Sequence, residues 1–279
     1  MTAGPPLWPL VYTVSTDDCH APVPLGFLAP LAEAAAQLAE LGYDGVEVQV
    51  RDVDARDARA LAKAVETPGL RVFALATGPI ATQDRLTLTD PSPDVRRHAL
   101  DRLLGAARLA AALGVPLTLG QTRGTFLRGL EDIQRHWAET AVQHLAEEVA
   151  ALGGTLLLEP QCRENTSLWH TPEEALAFAA SLSCRTGLAL DTHHLAREGL
   201  DPIAAARDHA RATHCLQLAA ATGRGPLPLG DLRLPPLLRA LWDAGFTGWL
   251  TLEHTQEGGS PLAAARSWTA LHDAAGTPA

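Results

Sequence analysis

The sequence is poor in lysine and in basic charge, and each shortage argues against a class of protein. Lys63 is the single lysine among 22 basic residues, and it falls in RALAKAV, a segment whose pattern predicts a helix. An enzyme that forms a Schiff base needs a lysine in its active site, so that chemistry is not expected. The lack of a G-x-S-x-G motif argues against a serine hydrolase. A formal net charge of −10 argues against a nucleic-acid-binding surface.

Cysteine is also scarce, and the four cysteines are scattered without a C-x-x-C pair or a zinc-ribbon spacing. We interpret them as reduced thiols of a cytoplasmic protein. The first residues, MTAGPPLWPLVYTVS, lack the basic start of a signal peptide. No apolar run approaches the roughly 20 residues that cross a bilayer. We therefore expect neither a membrane nor a nucleic acid among the partners.

Short apolar segments alternate with helix-patterned segments along the whole chain. The predicted strands are 10–15, 45–50, 71–76, 115–120, 155–159, 187–191, 213–218 and 248–253. Parallel strands need crossovers of a dozen or more residues, and eight strand–helix units fit a closed barrel of roughly 250 residues. A doubly wound open sheet is the alternative, but residues 15–26 contain no G-x-G-x-x-G turn. We predict an α/β fold, a single (β/α)₈ TIM barrel, with residues 1–279 as one domain.

Acidic residues end three of the predicted strands. Glu159 follows LLL, Asp191 follows LAL and Glu253 follows LTL, while Glu47 and Gln49 share the inner face of the second strand. A single acid at a strand end is more often a helix cap or an ion-pair partner. Three at one rim repel one another, and a bound cation or a shared proton is the usual remedy. Imidazole from a nearby histidine would complete a mixed oxygen and nitrogen site for a divalent cation.

Stretches covering nearly the whole chain, in the right order, resemble the xylose-isomerase-like TIM barrels. That family includes sugar isomerases, ketose 3-epimerases, hydroxypyruvate isomerases and inosose dehydratases, and the closest similarity is to the keto-sugar epimerases. The D-T-x-H of the sixth strand and the G-F-T-G-W-L-T-L-E of the eighth are moderately specific for this family. The matching stretches include LGYDGVEVQVRD (41–52), LGVPLTLGQTRG (113–124), LLLEPQCRENTSLWHTPEEAL (156–176), ALDTHHL (189–195) and GDLRLPPLLRALWDAGFTGWLTLE (230–253).

The resemblance implies a divalent-cation site and a reaction. One Mn²⁺, Mg²⁺, Co²⁺ or Zn²⁺ would be held by Glu159, Asp191, a histidine of the seventh strand and Glu253. Glu159 and Glu253 would be the catalytic pair that transfers a proton next to a carbonyl group through an enediolate. His194 would contact substrate oxygens. Arg163 is either a contact for a carboxylate or polyol end of the substrate or a surface residue of its loop.

The seventh strand, within THCLQLAAATGRG (213–225), departs from the family pattern. Relatives have H-x-H there, and the best alignment leaves His214 on the first histidine and Leu216 at the ligand position. Three explanations stay open: a shifted strand lets His214 bind the ion after all, three carboxylates and His194 hold it, or the site has lost its ion. Gln217 would face the site only if the two faces of the strand were exchanged, which we do not expect. Asn165 stands where many relatives have a second acid.

These observations predict an isomerase of the sugar isomerase or epimerase type that depends on a divalent metal. The alternative is a divergent member without the ion, either a metal-free enzyme or a sugar-binding barrel without catalysis. The substrate would be a small sugar or keto acid, with Glu47 as a further candidate for binding it. Its identity would depend on the rim loops 76–94 and 120–129. The family's frequent dimers and tetramers leave a homo-oligomer open.

Overall fold

Eight parallel strands form a closed barrel in the computed structural model, which describes residues 7–19, 25–52, 58–228 and 232–276. Each strand pairs with the next along the chain, and β1 pairs with β8 to close the ring. The strands are β1 (Leu10–Ser15), β2 (Gly45–Gln49), β3 (Arg71–Ala76), β4 (Leu117–Leu119), β5 (Thr155–Leu158), β6 (Arg185–Asp191), β7 (Thr213–Leu218) and β8 (Trp249–Leu252). The predicted (β/α)₈ barrel is confirmed.

Helices lie between the strands and cover the outside of the barrel. They are α1 (Leu31–Glu40), α2 (Ala58–Glu66), α3 (Gly78–Thr82), α4 (Pro93–Leu113), α5 (Glu131–Ala151), α6 (Pro172–Ala179), α7 (Thr192–Arg197), α8 (Pro202–Asp208), α9 (Leu234–Asp243) and α10 (Ser260–Gly276), with a short 3₁₀ helix at Gln121–Arg123. Their ends follow local rules. The Thr171 hydroxyl caps α6 by accepting from the Glu174 amide, and Gly114 ends α4 at φ 69°, a left-handed conformation that glycine adopts without strain. Over the described ranges, no helix is both long and apolar enough to cross a membrane.

Side-chain alternation along the strands separates an outer apolar layer from a partly polar interior. In β2 the side chains of Val46 and Val48 belong to the hydrophobic core, whereas Glu47 and Gln49 reach residues of β7 and of the segment after β8 through hydrogen bonds. This is the arrangement that the sequence predicts for β2. Because parallel strands are buried on both faces, it is the polar residues that indicate which face of a strand points into the barrel.

Near the amino-terminal end of the barrel, β3 and β7 each contain one extra residue whose ring lies beside a glycine of the neighbouring strand. The pairing of β2 with β3 skips Phe73, and that of β6 with β7 skips His214, so each skipped residue is a bulge. A Cβ atom at Gly45 would lie 2.5 Å from the Phe73 ring, and one at Gly187 would lie 2.1 Å from Nδ1 of His214. The glycines therefore provide the space that the two rings occupy.

Candidate active site

Two of the three strand-end acids, Glu159 and Glu253, line one cavity at the carboxyl end of the barrel. Glu159 follows β5, Asp191 ends β6 and Glu253 follows β8, and each is at most 7% exposed. A cavity of about 160 Å³ opens beside Glu159 and Glu253. Its lining combines these acids with residues of the predicted specificity loops, among them Thr77, Gly78, Thr82, Gly120 and Gln121.

Three of the predicted functional residues form a compact group. Ligand atoms of Glu159, Asp191 and His194 all lie within 4.8 Å of one another. Nε2 of His194 is 3.6 Å from Oε1 of Glu159 and 3.8 Å from Oδ2 of Asp191. The other ring nitrogen, Nδ1, is 3.3 Å from the thiol of Cys162. Burial lowers the pKa of His194 to about 4, so the imidazole is neutral at pH 7.

Arg224 is the functional residue that the sequence did not single out. It lies in the loop after β7, and its Nη2 donates to Oδ2 of Asp191 and, at 2.7 Å, to Oε2 of Glu253. Nη1 is 3.5 Å from Nε2 of His194. A side chain that is only 12% exposed thus carries one positive charge between two buried carboxylates. No local sequence pattern singles it out.

The acids respond differently to this environment. Burial, reinforced by repulsion from Glu253 and Asp191, raises the pKa of Glu159 to about 8. Burial also raises the pKa of Glu253, and the attraction of Arg224 offsets this only in part. For Asp191 burial acts in the same direction, but the attraction of Arg224, together with smaller contributions from His194 and His193, outweighs it and lowers the pKa. The site therefore holds one acid with a lowered pKa beside two with raised pKa values.

Two glutamine side chains that line the cavity donate hydrogen bonds to buried acids. Nε2 of Gln49 donates to Oε1 of Glu253 at 3.1 Å, and Nε2 of Gln217 donates to Oε1 of Glu47 at 3.0 Å. Burial, followed by repulsion from Glu253, raises the pKa of Glu47 to about 8. Glu47 is fully buried and does not line the cavity. The structure thus places this candidate substrate contact beneath the floor of the site.

The seventh strand corrects two expectations. Leu216 packs in the hydrophobic core, and Gln217 is the residue of β7 that faces the cavity, level with Asp191 in the pairing of β6 with β7. His214 lies against Gly187, four residues before Asp191, which is about 13 Å along the strand. The structure therefore does not bring His214 to the acids, because its ring lies beside Gly187 near the start of β6, whereas Asp191 ends that strand. We expected Leu216 to face the site and Gln217 to point away from it, and the structure shows the reverse.

The remaining candidate lies away from the cavity. Arg163 is exposed, and its backbone amide and guanidinium both donate to the carboxylate of Glu198. Asn165, by contrast, lines the cavity. The structure brings together Glu159, Asp191, His194 and Glu253, and it separates them from Arg163 and His214.

Comparison with known proteins agrees with this architecture. A protein of Streptomyces coelicolor, named provisionally as a hydroxypyruvate isomerase, is 27% identical over 256 residues, which cover 86% of this chain and 90% of that protein. A ketose 3-epimerase of Arthrobacter globiformis is 25% identical over 218 residues, 77% of this chain and 74% of its own length. The crystal structure of a D-allulose 3-epimerase from Methylomonas sp. superposes with a TM-score of 0.75 at 20% identity, over 98% of this chain and 100% of that one. That likeness establishes the fold.

A family model covers most of the barrel. The model described as xylose isomerase-like TIM barrel matches residues 35–272, a range that contains every strand except β1 and all three strand-end acids. The chain therefore belongs to the xylose isomerase-like TIM barrel family.

Proposed function

We propose that the protein is a sugar or keto-sugar isomerase or epimerase that moves a proton on the carbon next to a carbonyl group. The observation that carries the proposal is the pair Glu159 and Glu253, two buried carboxylates that line one cavity from strands separated by β6 and β7. Both have raised pKa values. A carboxyl group whose pKa lies near the working pH can accept and return a proton efficiently.

Each side chain around the pair has a part in this reaction. Glu159 and Glu253 take and return protons from two sides of the cavity, which is the geometry that epimerisation needs. His194 and Arg224 lie beside these acids, with Nη1 of Arg224 3.5 Å from Nε2 of His194, and their nitrogen atoms would bind hydroxyl and carbonyl oxygens of a sugar. The Cys162 thiol contacts the opposite ring nitrogen and so fixes the orientation of His194.

The residues fit a divalent cation in charge and in donor type. Glu47, Glu159, Asp191 and Glu253 are four buried carboxyl groups, whereas Arg224 bridges only two of them. Burial, followed by repulsion from the neighbouring acids, raises the pKa values of Glu47 and Glu159. Glu159, Asp191 and Glu253 would hold the ion, with His194 beside it. A bound divalent cation supplies Lewis acidity that stabilises negative charge on the substrate oxygens.

One observation favours the second candidate, a divergent member without the ion. Arg224 already places a cation between Asp191 and Glu253. A guanidinium could stabilise an enediolate without any metal, or the cavity could bind a sugar without turnover. The two candidates differ in whether α-proton exchange needs an added ion.

Proton exchange in D₂O tests the proposal directly. The protein is incubated with D-allulose, L-ribulose or hydroxypyruvate, with Mn²⁺, Mg²⁺, Co²⁺ or Zn²⁺ or with EDTA, and loss of the α-proton signal is followed by ¹H NMR. We expect exchange with at least one ketose that requires a cation, and elemental mass spectrometry should find about one equivalent of metal per chain. Exchange in EDTA favours the metal-free enzyme. Tight sugar binding with no exchange under any condition contradicts the proposal and supports a binding protein.

Gly120 provides a test of how tightly Glu159 must be placed. A Cβ atom at residue 120 would lie 2.3 Å from Oε2 of Glu159 and 2.8 Å from Nε2 of Gln161. Gly120→Ala should displace the carboxylate and reduce kcat/KM by about a hundredfold, the usual effect of misplacing a catalytic group by about 1 Å. Gly276→Ala near the end of α10 is the control, because its Cβ would meet open space. A Gly120→Ala enzyme within threefold of wild type would show that Glu159 need not occupy this position.

A further inference from the structure

Thr118 and Gln161 each have a buried side-chain oxygen that nothing in the described part of the chain satisfies. Thr118 lies on β4 and is 1% exposed, whereas Gln161 follows β5 and is 6% exposed. Both residues line the cavity. Oγ1 of Thr118 and Oε1 of Gln161 have no hydrogen-bond partner among the described residues. Burying a polar atom without a partner is costly, and a ligand in the cavity would supply the missing partners.

The two side chains belong to the same wall of the cavity. β4 pairs with β5, and Thr118 lies opposite Leu157 in that pairing. Alternate residues share a face of a strand, so Gly120 follows Thr118 on the inner face, where it also lines the cavity. A Cβ atom at Gly120 would lie 2.8 Å from Nε2 of Gln161. The absence of a side chain at Gly120 therefore lets the Gln161 amide approach the strand that carries Thr118.

A hydrogen bond to Glu159 determines which end of the Gln161 amide is available. The side chain of Gln161 donates to the Glu159 carboxylate, which only its NH₂ group can do. The remaining atom, Oε1, can only accept, so a ligand must offer it an O–H or N–H group. The Thr118 hydroxyl can donate and accept. A sugar hydroxyl suits both residues, whereas a carboxylate only accepts and cannot bind Oε1 of Gln161.

The charges around the cavity also disfavour an anionic ligand. Arg224 is the one basic residue among the described residues that line the cavity, and its guanidinium already donates to Asp191 and Glu253. Glu159 and Glu253 line the same cavity. A carboxylate on the ligand would meet these acids without an unengaged cation to bind it, whereas an uncharged ligand avoids that repulsion.

We propose that Thr118 and Gln161 form a hydroxyl-binding subsite for the part of a sugar beyond its reacting carbon atoms, and that this subsite makes the protein selective for uncharged ketoses over keto acids. The proposal rests on the proposed function for the reaction at Glu159 and Glu253. A ketose of five or six carbon atoms has further hydroxyl groups to offer the subsite. Hydroxypyruvate has none, because its carbon chain ends in a carboxylate next to the carbonyl group.

Ligand affinities measured by isothermal titration calorimetry on the full chain, at one fixed Mn²⁺ concentration, test the proposal. We expect wild type to bind D-allulose at least about tenfold more tightly than hydroxypyruvate, because one uncharged hydrogen bond contributes up to about tenfold in affinity. Thr118→Val removes the hydroxyl at nearly constant size and should weaken D-allulose binding about three- to tenfold. Hydroxypyruvate binding should stay within about twofold, which a general distortion of the site would not allow. Thr269→Val, on an exposed part of α10, is the matched control and should bind both ligands like wild type.

A second variant and a set of ligand analogues test the subsite independently. Gln161→Met keeps the length of the side chain without its amide, and it should weaken D-allulose binding about tenfold while sparing hydroxypyruvate. Monodeoxy derivatives of D-allulose identify the hydroxyl that is bound. At least one of them should bind wild type and Thr118→Val equally, because it lacks the group that the threonine would contact.

Several results would overturn the proposal. They are Thr118→Val and Gln161→Met proteins that both bind D-allulose within twofold of wild type, variants that lose hydroxypyruvate as strongly as the ketose, or a wild type that prefers hydroxypyruvate. If Gln161→Met does not fold, Thr118→Val decides alone. The proposed function fails separately: absence of α-proton exchange with every ketose and cation contradicts it, while the affinities still decide the role of Thr118 and Gln161.

Discussion

Glu159→Gln and Glu253→Gln are each expected to reduce kcat for epimerisation by about a thousandfold, because each carboxyl group transfers one of the two protons. Glutamine keeps the size of the side chain but cannot accept or return a proton. KM should change far less than kcat, since His194 and Arg224 still contact the substrate. Steady-state kinetics at saturating cation, with the ketose that wild type turns over best, measures both constants.

Isotope exchange separates this role from simple loss of the ion. In D₂O, Glu159→Gln should still exchange the α-proton of the epimer whose proton faces Glu253, and Glu253→Gln should exchange that of the other epimer. A variant that had only lost its cation would exchange neither. Glu164→Gln is the matched control, because Glu164 is an exposed acid that pairs with Arg197 on the surface. Equal exchange of both epimers by both variants would contradict a two-carboxylate mechanism.

The acids could be predicted from the sequence because their signal is local. Each follows or ends a short apolar run, and in a parallel barrel the carboxyl ends of all strands meet at one rim. Glu159, Asp191 and Glu253 therefore had to lie near one another once the barrel was recognised. His194 could be predicted for the same reason, because the helix that starts at Thr192 places it one turn beyond Asp191.

The seventh strand could not be assigned from the same pattern. Leu216, Gln217 and Leu218 are all fully or almost fully buried, and apolar residues occupy both faces of a parallel strand. The alternation of THCLQL thus does not show which residues point inward. A bulge at His214 shifts the pairing with β6 by one residue, and no residue type in the segment predicts this bulge. One added residue was enough to exchange the two faces.

The role of Arg224 could not be predicted from the sequence for a different reason. It lies in an irregular loop between Gly223, at φ 73°, and Gly225, and its own φ of 51° is in the left-handed region that side chains other than glycine seldom adopt. Loop direction of this kind depends on tertiary contacts rather than on local pattern. Here those contacts are the ion pairs with Asp191 and Glu253 and a hydrogen bond of 3.4 Å from Nε to the backbone oxygen of Glu253.

Arg224→Met should destabilise the ion-free protein and increase the stabilisation that a divalent cation provides. Loss of one partner from a buried ion pair costs about 3–5 kcal/mol, so we expect the free energy of unfolding in EDTA to fall by about 3 kcal/mol. A bound cation should then stabilise the variant more than the wild type, because in wild type the cation must displace the guanidinium from Asp191 and Glu253. Urea denaturation in EDTA and in excess Mn²⁺ measures both effects, with Arg197→Met, which breaks an exposed pair worth under about 1 kcal/mol, as control.

The pH dependence of the stability difference between wild type and Arg224→Met shows whether that difference comes from the ion pair or from packing. Arg224 lowers the pKa of Asp191 below its ordinary value of 3.8, so the ion pair stabilises the fold above pH 3.8 and the contribution is lost as the pH falls through the lower, folded-state pKa. The gap in stability between wild type and Arg224→Met should therefore be large at pH 7 and shrink below about pH 4. A gap that persists at low pH would mean that the variant loses packing rather than charge. A variant as stable as wild type in EDTA would show that the guanidinium is not the counter-ion of these acids, and the metal-free alternative would then lose the observation that favours it.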